Sequence, residues 1–397
     1  MLGAAPGSET PPGRHTALVF DDAPAGASAL TSNGTAGPGE SAGGLGDLFE
    51  APPPRVDADL AAGIARVVFG VDGRATLLSG ERDVTARIVE APTTGSAGRA
   101  WILKVVHPDE PLEVTDLQVA VLSHLAAVAP EVPVPRLHPA TRGGERASLP
   151  DGRSSAVRLV TEVSGSPMSR AASLGDSVSP QLAGELGALL ARTDRALAAL
   201  RHPAEDIPLL WDTTGFLLRP QPYATLVAAE PDLAEQLGSL RERVAPRLTG
   251  HPRQLVHNDA NPHNVFVGDH GTLTGLIDLG DMVRAPRVQD LAVALAYLIA
   301  PGPHPLAAAE AAVAGYAQVE ALTAGELALL PDLMAARMAM AMAITRWRAR
   351  RHPENAPYIL RNHETTRAGL AELARLGPDL VADRLATAAA RTPEGRP

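Results

Sequence analysis

The sequence predicts an α+β protein of two lobes, a small β-rich one followed by a larger, mostly helical one. Three observations carry this. Short apolar and β-branched runs separated by Gly, Ser and Asp clusters fill residues 75–163. Apolar residues at helical spacing dominate from residue 179 onward. Between the two patterns stands Ser164-Gly165-Ser166-Pro167, a sequence that breaks both periodicities. Two lobes joined by such a connector leave a cleft, a common place for a ligand.

Residues 1–55 hold 10 Gly and 8 Pro with few large apolar side chains, so they are expected to form a disordered tail. Order should begin near Asp57. Asp57 or Asp59 can cap a helix through Leu60, Ile64 and Val67-Val68, stopped by Gly70. Strands are expected at Ala75–Leu78, Val84–Val89 and Trp101–Val106. A helix at Glu113–Val128 places Leu117, Val121, Leu122 and Leu125 on one side. Extended segments at Val132–Leu137 and Ala156–Val163 complete a small lobe over residues 56–163. The connector and helical lobe take residues 164–392, with helices expected near 179–200, 231–245, 287–300, 305–320, 324–351 and 363–375. The exception is Val265–Val267 and Thr272–Ile277, which flank Gly268-Asp269-His270-Gly271 and read as a hairpin.

Composition narrows the function. The chain has 397 residues, 45% of them hydrophobic, enough for a large core. Its net charge of −10 gives no global attraction to nucleic acid or anionic lipid. The absence of cysteine excludes a disulfide framework, a thiolate zinc site and a cysteine nucleophile. No apolar run approaches the roughly 18 residues of a membrane span, and no signal peptide is evident. A cytoplasmic protein is the expectation. Of the 35 basic residues, one is lysine, Lys104; the rest are arginine. A lone lysine marks a place where a compact ammonium serves and a planar, forked guanidinium does not.

The informative stretch is Leu255–Leu291. Asp259 and Asn264 precede the predicted hairpin, and Asp278 ends its returning strand. An antiparallel hairpin returns the chain to its starting end, so two carboxylates and a carboxamide gather near one point. Such oxygen ligands suit a hard cation such as Mg²⁺, completed by substrate phosphates. The remaining carboxylate can orient or deprotonate a hydroxyl. A different chemistry is written in the same stretch: His257, Asp259 and His263 could ligate a metal in a hydrolase, although that leaves Asn264, Asp278 and Lys104 unused.

The spacing His257-x-Asp259-x-x-x-x-Asn264, a hairpin, then Ile277-Asp278 resembles the aminoglycoside phosphotransferase and choline kinase superfamily, which has a protein-kinase-like fold. Asp290 matches that group's buried acidic residue. The surrounding words, His-Asn-Asp-Ala-Asn, Gly-Leu-Ile-Asp and Pro-Arg-Val-Gln-Asp-Leu-Ala, resemble its hydroxylysine-kinase-like branch. Pro52–Arg55, Gly80–Asp83, Leu103–Val105 and Asp116–Gln118 extend the likeness, which covers about residues 48–375.

The resemblance implies phosphoryl transfer from ATP or GTP to a hydroxyl of a small molecule. A hydroxylysine-like amino acid or amino alcohol is favoured as acceptor, with an aminoglycoside O-phosphotransferase and a pseudokinase regulator as alternatives. It implies that Asp259 acts on the acceptor hydroxyl and that Asn264 and Asp278 hold Mg²⁺. Lys104 would hold the donor phosphates, and the loop with Ser79 and Arg82 would cover them. Glu162 and Val163 would offer backbone groups to the base. It further implies a helix glutamate paired with the lysine, and there this chain has Gln118, which adds no charge. No role attaches to Asp281. Arg337 and the arginines 346–351 read as the basic end of a helix, and Met334, Met338 and Met342 as core.

Overall fold

A computed structural model of the chain describes residues 53–391 except 79, 81, 93–97, 142–144, 173–177, 220–222 and 229. The expected tail therefore lies outside the described residues, apart from its last three positions. The first helix, α1 (Ala58–Phe69), forms as its ends dictate: Asp57 Oδ1 accepts from the Leu60 amide at 2.8 Å, and Gly70 turns left-handed at φ 73° to close it.

The small sheet contains β1 (Gly73–Leu78), β2 (Val84–Glu90), β3 (Ala100–Val105), β4 (Leu137–His138), β5 (Arg146–Ser148) and β6 (Ser154–Thr161). Its order is β1-β2-β3-β6-β4, with β5 also on β6, and every pairing is antiparallel. β3 alternates as its sequence demands. Trp101, Leu103 and Val105 are buried against α1, while Lys104 points to the opposite face. In register Lys104 lies between Thr85 and Arg158. Helix α2 (Leu112–Val128) follows β3 and packs Leu117, Val121, Leu122 and Leu125 into the second, larger core.

The expected extended segment Val132–Leu137 is a strand only at Leu137, which continues into His138. Pro130, Pro133 and Pro135 remove the amide donors a ladder needs, and Arg136 is spent on the Pro130 and Val132 carbonyls.

The larger lobe opens with β7 (Ser166–Pro167) and α3 (Met168–Ala172), then α4 (Pro180–Leu197), α5 (Thr213–Leu218), α6 (Ala224–Ala228) and α7 (Pro231–Leu248). Four short strands follow: β8 (Arg253–Val256), β9 (Val265–Val267), β10 (Leu273–Leu276) and β11 (Val283–Pro286). β9 and β10 are the expected hairpin, and β7 pairs with β9; β8 pairs with β11. The chain ends in α8 (Val288–Ala296), α9 (Ala307–Val319), α10 (Ala324–Arg351), α11 (Ala356–Ile359), α12 (His363–Leu376) and α13 (Pro378–Ala389). The sequence reading missed α13 and the β8–β11 ribbon.

By length and composition α10 could cross a bilayer, contrary to the expectation that no apolar run suffices, yet 83% of its most apolar stretch is buried inside the fold. It is the central helix of the lobe, started by a Thr323/Glu326 capping box.

α4 and α9 pack closely together, with Gly184 and Gly187 on one helix and Gly315 on the other at the contact. A Cβ on Gly187 would overlap the Ala312 carbonyl, and one on Gly315 would overlap that of Gly184. Gly187→Ala should therefore force the helices apart and destabilise the protein by about 1–3 kcal/mol. Chemical denaturation reads this; an unchanged midpoint would mean that the crossing has slack.

Candidate active site

The site begins where β8 ends. His257, Asn258 and Asp259 leave the strand in a sharp turn, and Asn258 takes a left-handed conformation at φ 65°. Asparagine tolerates that region better than most residues. What fixes the turn is Asp290 on α8, fully buried. Its two carboxylate oxygens accept from the Asn258 amide at 2.6 Å and the His257 amide at 3.3 Å. The side chain of Asn258 then donates to the Trp211 carbonyl (3.2 Å) and the Asp281 carbonyl (2.9 Å). His257 donates from Nε2 to the Ile277 carbonyl at 3.1 Å and accepts the Asp259 amide on Nδ1 at 3.2 Å. Both ring nitrogens are occupied, so the metal-hydrolase alternative loses one of its ligands.

Asp259 stands at the end of this turn. Its Oδ1 accepts from Asn261 Nδ2 and Arg337 Nη2, both at 2.9 Å, and its Oδ2 accepts from Asn264 Nδ2 at 2.6 Å. A carboxylate has about four lone-pair sites, so one remains for a further partner. Burial raises the Asp259 pKa, and Arg337 is the largest influence against that rise. Arg337 itself is 2% exposed. It donates to the Trp211 carbonyl at 3.0 Å and lies 5.1 Å from the Trp211 ring centroid. It is thus no part of a basic helix end, as the sequence reading had it. The signal was present: Arg337 is the one charge in Leu333–Ile344, an otherwise apolar helical stretch.

The hairpin brings the other two residues in. Asn264 precedes β9, Asp278 follows β10, and the Ile277 amide donates to the Asn264 carbonyl at 2.9 Å, closing the open end. Asn264 spends its amide nitrogen on Asp259, which leaves Oδ1 without a hydrogen bond among the described residues. Asp278, left-handed at φ 63°, has a half-exposed carboxylate. Lys104 holds that carboxylate below its usual range. These two side chains present oxygens of the type a hard divalent cation takes.

Lys104 reaches the same place from the small sheet. Its Nζ is 3.1 Å from Asp83 Oδ2 and 3.7 Å from Asp278 Oδ1. Burial is the largest influence on its pKa and pulls it down, but Asp278 and Asp83 together outweigh it and Lys104 stays charged. Asp281 also faces the site; burial and the neighbouring Asp259 and Asp278 push its carboxyl up to about 8.

One cavity of about 750 Å³ joins these groups, lined by Lys104, Arg82, Gln118, Asp259, Asn264 and Asp278 among others. Arg82 is paired with Glu110. Gln118 is buried, and its Oε1 has no hydrogen-bond partner among the described residues. Glu162 and Val163 follow β6 and are not among the lining residues. The Glu162 amide donates to the Ala100 carbonyl, and its carboxylate binds Arg87 through contacts of 2.6 and 2.8 Å. Ser79 lies outside the described residues. The cavity continues past Asp259 to a wall from α10, α11 and α12, which includes Arg348, Tyr358, Arg361 and His363.

Residues 80–322, more than half of the chain, match the phosphotransferase enzyme family APH. Hydroxylysine kinase of Danio rerio is 27% identical over 231 residues, 55% of this chain and 62% of that protein. Hydroxylysine kinase of Mus musculus is 26% identical over 240 residues, 57% of this chain and again 62% of that protein. The alignments thus span less than two thirds of these relatives' length. Among solved structures, an amicoumacin kinase in complex with AMP-PNP and Ca²⁺ superposes with a TM-score of 0.57 at 16% identity. That superposition covers 83% of this chain and 94% of the other and shows the shared fold.

Asp290→Ala should strand the His257 and Asn258 amides without an acceptor, costing about 1–3 kcal/mol for each. Urea denaturation checks this, and a loss below that of an ordinary surface substitution would show that the turn holds itself.

Proposed function

The chain belongs to the phosphotransferase enzyme family APH, and from that premise we propose that it is a small-molecule kinase. It transfers the γ-phosphate of ATP or GTP to a hydroxyl of a hydroxylated amino acid or amino alcohol, hydroxylysine first. One observation carries the reading: Lys104, Asp259, Asn264 and Asp278, contributed by different elements of both lobes, line a single cavity.

The acceptor oxygen attacks the γ-phosphorus, the bond to the bridging oxygen breaks, and a nucleoside diphosphate leaves. Asp259 orients the hydroxyl and takes its proton on the remaining lone pair. Lys104 and Arg82 hold the donor phosphates, with Lys104 as a compact point charge. Asn264 and Asp278 would hold Mg²⁺, which supplies neutralisation of the phosphate charge. Positioning and electrostatics carry most of the rate.

Two supports favour an amino-acid acceptor. The relatives named above are hydroxylysine kinases. The cavity wall between Arg337 and Thr366 contributes Arg348, Arg361 and His363 and no carboxylate. Such a wall complements an acceptor that carries a carboxylate and is poorly suited to a polycationic antibiotic. The test is a panel of hydroxylysine, ethanolamine, choline and an aminoglycoside, each with Mg²⁺ and ATP or GTP, assayed for nucleoside diphosphate. Turnover on the hydroxy amino acid is expected. Turnover confined to the aminoglycoside, or to none of them, would overturn the reading.

Arg337→Gln supplies a second prediction. Arg337 opposes the burial that raises the Asp259 pKa, so its loss lets that pKa rise further. A base works only when deprotonated. The acid limb of the pH–rate profile should therefore move to higher pH, with the largest loss on the acid side. An unshifted limb would remove Arg337 from the electrostatics of Asp259.

A further inference from the structure

Among the described residues Lys104 forms ion pairs with two carboxylates, and neither is on α2. Asp83 Oδ2 lies at 3.1 Å and Asp278 Oδ1 at 3.7 Å, while Gln118, where a helix glutamate was expected, has no hydrogen-bond partner for its Oε1 among the described residues. Asp278 is the shared member, because the proposed cation site draws on the same carboxylate. A lysine that must keep its place when Asp278 turns to a cation needs an acid that is no metal ligand.

We propose that Asp83, at the end of the loop between β1 and β2, is the positioning residue for Lys104 and has taken over the charge that α2 lacks. This deepens the kinase reading and rests on it for the role of Lys104.

Three observations support it. Asp83 is itself anchored: its Oδ1 accepts from the His107 amide at 2.9 Å, which leaves Oδ2 aimed at the ammonium. The pair is largely shielded, with side-chain exposures of 20% and 23%, so it is screened less than a surface pair. And Lys104 does not stand alone. The register of β3 and β6 sets Arg158 directly opposite it, 7% exposed, with Nη1 buried and without a hydrogen-bond partner among the described residues. Two cations side by side in a sheet repel each other. Burial pulls the Arg158 pKa down, and Asp83 is the leading carboxylate that opposes this, so the same acid acts on both cations.

The consequence is mechanical. Gly80 and Arg82, in the same loop, line the cavity where the donor phosphates would lie. The lysine is therefore set by the segment that covers the phosphates and is independent of where α2 sits.

Asp83→Asn is the discriminating variant, because asparagine keeps an acceptor for the His107 amide and removes only the charge. The chain has one lysine, so lysine labelled with heavy nitrogen yields one side-chain ammonium signal, read in the full protein with AMP-PNP and Mg²⁺. In Asp83→Asn this signal should shift and exchange faster with water. Turnover on the acceptor found by the panel should fall about tenfold to a hundredfold, the scale of a misplaced group, while nucleotide affinity stays within about threefold. In a Lys104→Ala background the same substitution should cost nothing more, as for two residues acting through one contact. An unchanged lysine signal, or an equal loss in both backgrounds, overturns the proposal. If the panel yields no acceptor, the kinase reading fails while the lysine signal still decides the role of Asp83.

Discussion

The His257 and Asn258 amides point into the protein interior with no helix or strand to receive them. Asp290 accepts both, and the chemistry of the site depends on that arrangement. Left unpaired, such groups would favour a different path for the chain. With Asp290 in place, the left-handed conformation of Asn258 is held and Asp259 leaves the turn facing the cavity. The buried carboxylate has its own cost. Burial raises its pKa, and His257 and the two amides are what oppose the rise. Asp194 lies beside it, its pKa pushed well up by burial and by Asp290, and it accepts the Tyr316 hydroxyl at 2.7 Å. Tyr316 is on α9, which ties the turn through Asp194 to the close crossing of α4 and α9.

The charges of the site stand in opposed pairs. Arg337 faces Asp259, Lys104 faces Asp83 and Asp278, and Arg82 faces Glu110. Breaking a shielded pair such as Arg337–Asp259 leaves an uncompensated ion, which is costlier than never having placed the pair. That asymmetry gives the side chains fixed directions before any ligand arrives, and preorganised charge is worth most in catalysis.

Much of this was legible in the sequence, for identifiable reasons. Asp57 and Gly70 bound α1 because caps act locally. The alternation Trp101, Leu103, Val105 turned Lys104 to the other face, and the hairpin from Asn264 to Asp278 closed as its turn residues required. What escaped was non-local. Arg337 reaches Asp259 across 78 positions of chain, and nothing in its neighbours declares that contact beyond their lack of charge. Asp83 belongs to a loop motif, yet its meaning depends on Lys104, one strand and one turn further along the chain. The segment Val132–Leu137 misled because its valines favour a strand, while its prolines forbid the hydrogen bonds of one.

The two ends of the cavity differ in how they are encoded. The donor end is assembled from the β1–β2 loop, β3, the turn after β8 and the hairpin, joined by the Lys104 ion pairs to Asp83 and Asp278 and by the hydrogen bonds of His257 and Asn264. Most of the far wall, from Arg337 to Thr366, comes from one uninterrupted length of chain. On the proposed kinase reading, drift or recombination within a single gene segment can therefore rewrite the acceptor and leave the phosphate chemistry intact. Divergence among descendants of such a scaffold should be concentrated there, and an exchange of that segment alone is the shortest route to a new specificity.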